Sequence, residues 1–217
     1  MTKTKQPRPE TTLESILEYY REAAQSNRDL GDSFERLVAK YLLTDPQYSD
    51  RLSDVWLWSE WPDRWNVDVG IDLVARERST GEYWAIQCKF FDPSASLQKA
   101  DIDSFFTASG KKFATKDGQR HFSHRLIIST TDKWSKHAEE ALSDQVMPVS
   151  RLWFKDLANS PVDWSQLDLA HPGELKLQKK KTARPHQEEA IELSVHGFNV
   201  SDRGKLIMAC GTGKTFT

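Results

Sequence analysis

Three polar groups suited to phosphodiester chemistry lie close together in this sequence: a carboxylate, an amide and an ammonium group, carried by Asp72, Gln87 and Lys89. The stretches that carry them, residues 70–76 and 83–90, are rich in β-branched and aromatic residues. Gly81 lies between them, so we predict a β-hairpin. Carboxylate and amide oxygens are Mg²⁺ ligands, and a lysine can activate a water or offset charge on a phosphorane. These residue types therefore fit metal-assisted phosphodiester hydrolysis.

The expected turn sets which of these groups face each other. A tight turn centred on Thr80-Gly81 predicts Asp72 opposite Lys89, with Gln87 as the diagonal neighbour. Because side chains alternate along a strand, Gln87 and Lys89 share one face. The other face carries Trp84, Ile86, Cys88 and Phe90. The backbone carbonyl of Cys88 would be a further metal ligand. On spacing alone, a surface hairpin with a cross-strand salt bridge is an equal alternative.

The pattern Asp72 followed by Gln87-x-Lys89 resembles the PD-(D/E)xK nuclease signature. The resemblance is to Mrr-like restriction endonucleases, in which glutamine replaces the second acid, although Ile71 stands where the motif name has proline. It covers roughly the first two-thirds of the chain. Relatives carry an upstream helix with a glutamate near the metal, and residues 31–38 match it, with Glu35 in that place. The resemblance implies Mg²⁺ or Mn²⁺ held by Asp72, Gln87, Glu35 and the residue 88 carbonyl, and catalysis by Lys89. By itself, Glu35 would be interpreted as an ordinary glutamate at the edge of the apolar stripe of this helix, in line with Val38 and Leu42.

Length and composition bound the class of protein. The 217 residues allow one domain, or one and part of another, and 38% hydrophobic content is enough for a core. No apolar run approaches the roughly 18 residues of a membrane helix, and the polar start is no signal sequence. Cys88 and Cys210 each lie in a predicted buried strand, so we expect no disulfide. These features predict a cytoplasmic protein without membrane contact.

Periodicity predicts an α/β sandwich: a central mixed sheet flanked by helices, which matches the restriction-endonuclease-like fold that the resemblance implies. We expect a disordered tail over residues 1–10 and a nuclease domain over 11–170, with a loop at 44–54. A first helix is predicted to begin at Leu13, and three more are predicted over residues 32–43, 101–109 and 133–142. The predicted strands cover residues 55–59, the two hairpin arms, 126–130 and a region from 146, and a short last element covers 152–157.

A basic stretch precedes the strand at 126–130. A net charge of −2 does not indicate nucleic-acid binding, so DNA contacts would need a local basic surface. The best candidate contains Lys111, Lys112, Lys116, Arg120 and Arg125 with a single acid, Asp117. A solvated loop is almost as plausible an interpretation.

Other candidate groups have a structural interpretation that we prefer. Tryptophans 56, 58, 61 and 65 could stack on bases, but packing is the more frequent role of such clusters. Asp63 and Asp68 could assist a metal or simply face water. No Cys or acid joins His121 and His124 at ligand spacing, so we predict no zinc site there.

The last part of the chain indicates a second kind of domain. Residues 171–182 read as a linker, and residues 183–217 as the truncated start of a RecA-like helicase lobe. The sequence Met-Ala-Cys-Gly-Thr-Gly-Lys-Thr at 208–215 resembles motif I of superfamily 2 helicases, with Met208 where the Walker pattern has glycine. The resemblance implies phosphate binding by the loop and adenine recognition by an upstream glutamine. The ATP-binding residues would be Gln187, Gly211, Gly213, Lys214 and Thr215. No Walker B acid follows, so we expect no ATP hydrolysis by this chain.

The resemblance as a whole is to large ATP-dependent restriction enzymes of Type I and Type ISP. It implies double-stranded DNA as partner, ATP in the full-length protein, and further helicase, methyltransferase and target-recognition domains downstream. A double-strand break would need a second copy. Two alternatives stay open: a DNA-binding or docking module with a degenerate site, and the nuclease of a repair or anti-phage helicase–nuclease.

Overall fold

The computed structural model describes residues 11–65, 70–167, 175–178, 185–203 and 205. The chain divides into two compact units, Met1–Gln178 and Lys179–Thr217. The helices are α1 Leu13–Ala23, α2 Asn27–Thr44, α3 Pro46–Ser49, α4 Ala100–Ser109, α5 Lys136–Leu142, α6 Phe154–Ala158 and α7 Pro185–Phe198. The strands are β1 Leu52–Leu57, β2 Leu73–Glu77, β3 Tyr83–Lys89, β4 Phe113–Thr115, β5 Gly118–Arg120, β6 Phe122–Ser129, β7 Val149–Leu152, β8 Val162–Asp163 and β9 Lys176–Leu177. None of the described helices is both long enough and apolar enough to cross a membrane.

The first unit is built on a five-stranded mixed sheet with the order β1-β2-β3-β6-β7. Strands β1, β2 and β3 pair antiparallel, whereas β6 runs parallel to both β3 and β7. The predicted meander and the mixed sheet are therefore confirmed. The first strand begins three residues earlier than predicted, at Leu52 instead of Val55.

Each face of the sheet has its own apolar core. On β3, Trp84 and Ile86 join the core shared with α1 and α2, and Ala85 joins the core shared with α4. On β6, Leu126 and Ile127 lie in opposite cores, as expected for a strand covered on both faces. Helices thus flank both faces, and the α/β sandwich is confirmed.

The hairpin register differs from the prediction. The pairs run from Leu73 opposite Ile86 to Arg76 opposite Tyr83. Continued past Leu73, this register sets Asp72 level with Gln87 and not with Lys89, two residues away from the predicted alignment. The tight turn is instead a longer loop, closed by the Glu77 amide donating to the Glu82 carbonyl at 2.8 Å.

Two features lengthen this loop. The Thr80 hydroxyl donates to the Glu77 carboxylate at 2.7 Å. Gly81 has a positive φ of 71° and its amide donates to the Glu77 carbonyl at 2.9 Å. The centre of the loop therefore lies one residue before Thr80-Gly81. Because a shift of two residues preserves the alternation of faces, the apolar side chains still reach their core.

Helix boundaries follow their caps. Thr12 caps α1 and forms a capping box with Ser15. Ser26 caps α2, which therefore begins five residues before the predicted start at Asp32. The loop predicted over 44–54 contains the short helix α3, because the Asp45 carboxylate accepts from the Gln47 amide at 2.9 Å and Pro46 begins the helix.

The tryptophans pack, as preferred from the sequence. Trp58 and Trp61 are buried, and the Trp61 ring lies 4.9 Å from that of Phe113 and 5.9 Å from that of Phe122. Trp65 stacks on Phe113 at 5.8 Å. Through this aromatic cluster, the β4–β5 hairpin packs against the rest of the domain. The sequence did not predict this hairpin.

Much of the predicted linker and ATP-binding segment lies outside the described residues, including Gly211, Gly213, Lys214 and Thr215. Within the linker range, β9 pairs antiparallel with β8, and the Gln178 amide donates to the Pro161 carbonyl at 2.7 Å. In the second unit, α7 carries Gln187, whose side chain is buried.

Candidate active site

The predicted catalytic groups meet at one end of the central sheet. Asp72 directly precedes β2, and Gln87 and Lys89 lie in the last three residues of the antiparallel strand β3. The Asp72 backbone is bonded on both sides: its amide donates to the Ile86 carbonyl of β3 at 3.0 Å, and its carbonyl accepts from the amide of Trp58, the residue after β1, at 2.7 Å. The position of Asp72 is thereby fixed by the sheet.

The Asp72 carboxylate faces the backbone of β3. Its Oδ2 accepts a hydrogen bond from the Cys88 amide at 2.7 Å. This bond spans the two strands at the point where their regular pairing ends. It holds a half-buried carboxylate beside the residue whose carbonyl was predicted as a metal ligand.

Gln87 has a buried acceptor without a partner. The residue is only 1% exposed, and its Nε2 donates to the Gly70 carbonyl at 3.1 Å. Its Oε1 has no hydrogen-bond partner among the described residues. A buried unsatisfied acceptor costs about 1–3 kcal/mol, and a cation is one group that would satisfy it.

Glu35 extends from α2 toward the same place. Burial, followed by the carboxylates of Asp72 and Asp32, raises the pKa of Glu35 to about 8. The guanidinium groups of Arg36 and Arg28 oppose this increase in the pKa. Glu35 is half-buried, which confirms its predicted place at the edge of the apolar stripe. Two carboxylates that repel each other in this way form a site that a divalent cation would stabilise.

Lys89 completes the cluster. It lies opposite Ser129 of β6, and its carbonyl accepts from the Thr130 amide at 3.1 Å. Burial and the charges of Asp72 and Glu35 raise the pKa of the Cys88 thiol, and the nearby Lys89 opposes that increase. The charges of Asp72, Glu35 and Lys89 therefore all act on the Cys88 thiol.

A groove of about 480 Å³ is lined by two members of this cluster, Glu35 and Asp72. One wall is the first half of α2, and the other is formed by the end of β1, the turn after it, and Ile71 with Asp72. A Cβ at Gly31 would lie 3.9 Å from the Glu35 Oε1, so this glycine leaves the carboxylate uncovered. We call this space the α2 groove.

The oxygen atoms present fit a hard divalent cation. Asp72 and Glu35 supply carboxylates, and Gln87 supplies an unpaired amide oxygen. The described residues contain no group of three or more His, Cys, Asp or Glu side chains placed to hold a metal. A cation here would therefore depend on the two carboxylates together with amide and backbone oxygens, as Mg²⁺ sites commonly do.

The predicted DNA-contact residues lie elsewhere. Lys111, Lys112, Lys116 and Arg120 are all exposed, on or beside the β4–β5 hairpin. This hairpin leads into the start of β6, where Phe122 pairs with Tyr83, whereas Lys89 is six residues further along β3. At the rise of a strand the two ends are about 20 Å apart. The structure does not bring these cations to the catalytic cluster.

Arg125 is not part of a basic surface. It is buried, its Nε donates to the Ser109 hydroxyl at 2.7 Å, and its Nη1 donates to Gln145 Oε1 at 3.1 Å. It joins α4 to β6, so including it in the DNA-contact stretch was wrong. The reason is that charge alone does not distinguish a buried clamp from an exposed cation.

The remaining candidates are two histidines and an aspartate. His124 lies against the Trp84 ring at 4.3 Å, and His121 is exposed. Asp68 lies outside the described residues. The sequence interpretation missed Arg28 and Arg36. On α2, Arg28 lies about two turns before Glu35, and Arg36 directly follows it.

Comparisons with known proteins show which family the chain resembles. A model of the restriction endonuclease family of the Mrr catalytic type matches residues 43–174. The structure of the ATP-dependent Type ISP restriction-modification enzyme LlaBIII bound to DNA matches with a TM-score of 0.72 and 34% identity over 94% of this chain. This chain spans only 12% of that enzyme.

Two more distant structures also match. The DNA modification-dependent restriction endonuclease AspBHI has a TM-score of 0.41 and 16% identity, over 67% of this chain and 33% of its own. MspJI, in complex with a 27-mer oligonucleotide, has a TM-score of 0.42 and 18% identity, over 67% of this chain and 30% of its own. A search of the curated proteins finds no match. From the family match and the 34% identity over most of its length, this chain belongs to the Mrr-type restriction endonuclease family.

Proposed function

We propose that this chain carries an Mg²⁺- or Mn²⁺-dependent DNA endonuclease, the nuclease part of an ATP-driven restriction enzyme. One observation carries the proposal. Asp72 and Glu35 line an open groove at one end of the sheet, and Lys89 and buried Gln87, whose Oε1 is unpaired among the described residues, lie at the end of β3 beside Asp72. Membership of a restriction endonuclease family supports the same activity.

Each residue has a distinct role in this proposal. Asp72, Glu35, the Gln87 amide oxygen and the Cys88 carbonyl would hold the cation. When bound, the metal lowers the pKa of a coordinated water and offsets charge on the phosphate. Lys89 orients or deprotonates the attacking water and stabilises the negative charge that develops on the phosphorane. Glu35 also serves as a supporting acid.

We place this nuclease in a larger enzyme. A match to 12% of a Type ISP enzyme, together with the motif-I-like sequence at 208–215, supports downstream helicase, methyltransferase and target-recognition domains and ATP as their fuel. Gln187 and the loop residues up to Thr215 would bind that ATP. Double-stranded DNA in the cytoplasm is the proposed substrate. Since one site cuts one strand, a second copy would complete a double-strand break.

Plasmid nicking tests the activity. The parent chain, Asp72→Ala and Lys89→Ala would be incubated with supercoiled plasmid and Mg²⁺ or Mn²⁺. Lys136→Ala serves as the control, because this exposed lysine lies on α5, away from the groove. We expect nicking by the parent and the control, and none by the other two. Nicking by Asp72→Ala at the parent's rate would refute the assignment.

Metal binding separates the remaining possibilities if no variant nicks DNA. Calorimetric titration with Mn²⁺ should show binding to the parent and loss of binding in Asp72→Ala. Binding without nicking would indicate a nuclease that is inactive without its motor, and the same variants would then be compared in the full-length enzyme with ATP. No Mn²⁺ binding by the parent would favour a DNA-binding module with a degenerate site.

A further inference from the structure

The α2 wall of the groove carries two arginines on one helical face. Arg28, Asp32 and Arg36 follow at intervals of four residues, with Glu35 beside Arg36, and all four line the α2 groove. At 1.5 Å per residue, Arg28 and Arg36 are separated by about 12 Å along the helix axis. The acidic cluster thus lies between two cations.

This arrangement answers an electrostatic problem. A phosphate that is to be cut must approach Asp72 and Glu35, and the acid Asp32 faces the same groove. Like charges at close range in a partly buried site repel strongly. One divalent cation cannot compensate all three carboxylates as well as the phosphates on either side of the scissile one. Further cations in the groove wall are therefore needed.

Both arginines are available for a ligand. Arg28 is exposed and makes no hydrogen bond or ion pair with any described residue. The Arg36 side chain is 60% exposed, and its Nη1 lies 3.8 Å from the Glu60 Oε1, whose side chain is 57% exposed. An exposed pair at this distance contributes little stability, so Arg36 can exchange Glu60 for a phosphate. A guanidinium group also matches phosphate oxygens with two parallel hydrogen bonds.

We propose that Arg28 and Arg36 bind backbone phosphates of the DNA strand in the α2 groove, on the two sides of the phosphate that is cut. The proposal rests on the proposed function and names which residues position the substrate. Phosphate contacts carry no base information, so this binding is independent of sequence. It also places the principal DNA contact at the catalytic end of the sheet, and not on the β4–β5 hairpin.

The salt dependence of DNA binding tests the proposal. Binding of a fluorescent 30-base-pair duplex to the 217-residue chain in EDTA would be measured by anisotropy between about 0.05 and 0.3 M KCl. The variants are Arg28→Gln, Arg36→Gln and the pair, with Arg28→Lys as the conservative variant. Lys112→Gln on the hairpin side is the matched control, since it also removes one exposed positive charge.

The association constant K falls as the salt concentration rises, and each cation that binds a phosphate adds about 0.9 to the steepness of log K against log salt. Removing one such cation therefore makes this line less steep by about 0.9 and weakens binding roughly eightfold at 0.1 M salt. We expect this change for each groove arginine, about twice the slope change for the pair, and a nearly parental slope for Arg28→Lys. Lys112→Gln should leave the slope unchanged. Unrelated duplex sequences should all be weakened equally.

The outcomes separate this proposal from the proposed function. Parental slopes in both arginine variants, with circular dichroism showing that they are folded, would overturn the groove contact even if the parent nicks DNA. A lower slope in Lys112→Gln alone would transfer the contact to the hairpin. A lower slope in the arginine variants of a parent that does not nick DNA would keep the groove contact and reject only the nuclease activity.

Discussion

Replacing Glu35 by glutamine should stabilise the metal-free protein at neutral and alkaline pH but not in acid. The pKa of Glu35 is raised from 4.5 to about 8, first by burial and then by Asp72 and Asp32. The folded state therefore holds this proton more tightly than the unfolded state does. Between about pH 4.5 and 8 the parent loses stability as pH rises, because only the unfolded state is ionised there. Glutamine removes this loss, since it has no proton to release.

The magnitude follows from the shift and from the partial exposure of the side chain. Each unit of pKa difference corresponds to about 1.4 kcal/mol. Glu35 is only half-buried, and solvent screens its charge, so most of the formal value must be discounted. We compare the free energy of unfolding of Glu35→Gln with that of the parent at each pH. Between pH 4.5 and pH 8, this difference should change by about 1–2 kcal/mol in favour of the variant.

Urea unfolding in EDTA, followed by tryptophan fluorescence from pH 5 to 9, would measure this difference. Glu22→Gln is the control, because it makes the same chemical change at an exposed position on α1. A stability difference that does not vary with pH would refute the raised pKa. The same samples with saturating Mn²⁺ give a second readout: the parent should gain stability, and Glu35→Gln should gain much less.

Two other substitutions test the balance between stability and function. Gly31→Ala should stabilise the fold by about 0.5–1 kcal/mol, because glycine is costly inside a helix. Since the new Cβ would lie 3.9 Å from the Glu35 Oε1, it should also weaken Mn²⁺ binding in a calorimetric titration, and unchanged binding would contradict this view of the groove. Hydrogen bonds from Thr80 and Arg51 lower the pKa of Glu77, and the Arg51 Nε lies 2.6 Å from its carboxylate. Glu77→Gln should therefore lower the free energy of unfolding by about 0.5–1 kcal/mol at pH 7. Urea unfolding should show this loss disappearing as pH falls below about 4, where the carboxylate becomes protonated. A loss that does not vary with pH would refute its ionic origin.

The sequence was sufficient to predict the sheet and its two covered faces. The apolar run of β6 and the alternation in β3 each demand a particular burial, and the structure has it. The hairpin register was not predictable in the same way, because shifts by two residues preserve every face. Here the side chain of Thr80 and the positive φ of Gly81 decided the register, and such local turn geometry is not encoded in the hydrophobic pattern.

The charged residues show a different limit. Arg125 and Arg28 are chemically identical, yet the first is a buried clamp between α4 and β6 and the second is exposed in the α2 groove. The distinction depends on which elements pack against each residue, and that is decided by tertiary structure. The basic stretch around Lys112 attracted attention because its charges are contiguous in sequence. The groove cations are separated in sequence and become a pair only on a helix.

The α2 groove and the end of β3 beside it contain features that are unfavourable for a metal-free fold. Gln87 buries an acceptor that has no partner among the described residues, Glu35 lies near a second carboxylate, and Gly31 lies inside a helix that would be more stable with alanine. Each feature alone lowers the free energy of unfolding by roughly one to a few kcal/mol. A divalent cation would remove the first two costs, and the third leaves space for it. Local departures from the rules of stability are expected to cluster where a ligand compensates them. Their coincidence at one end of the sheet supports a cation site more strongly than any one of the three residues does.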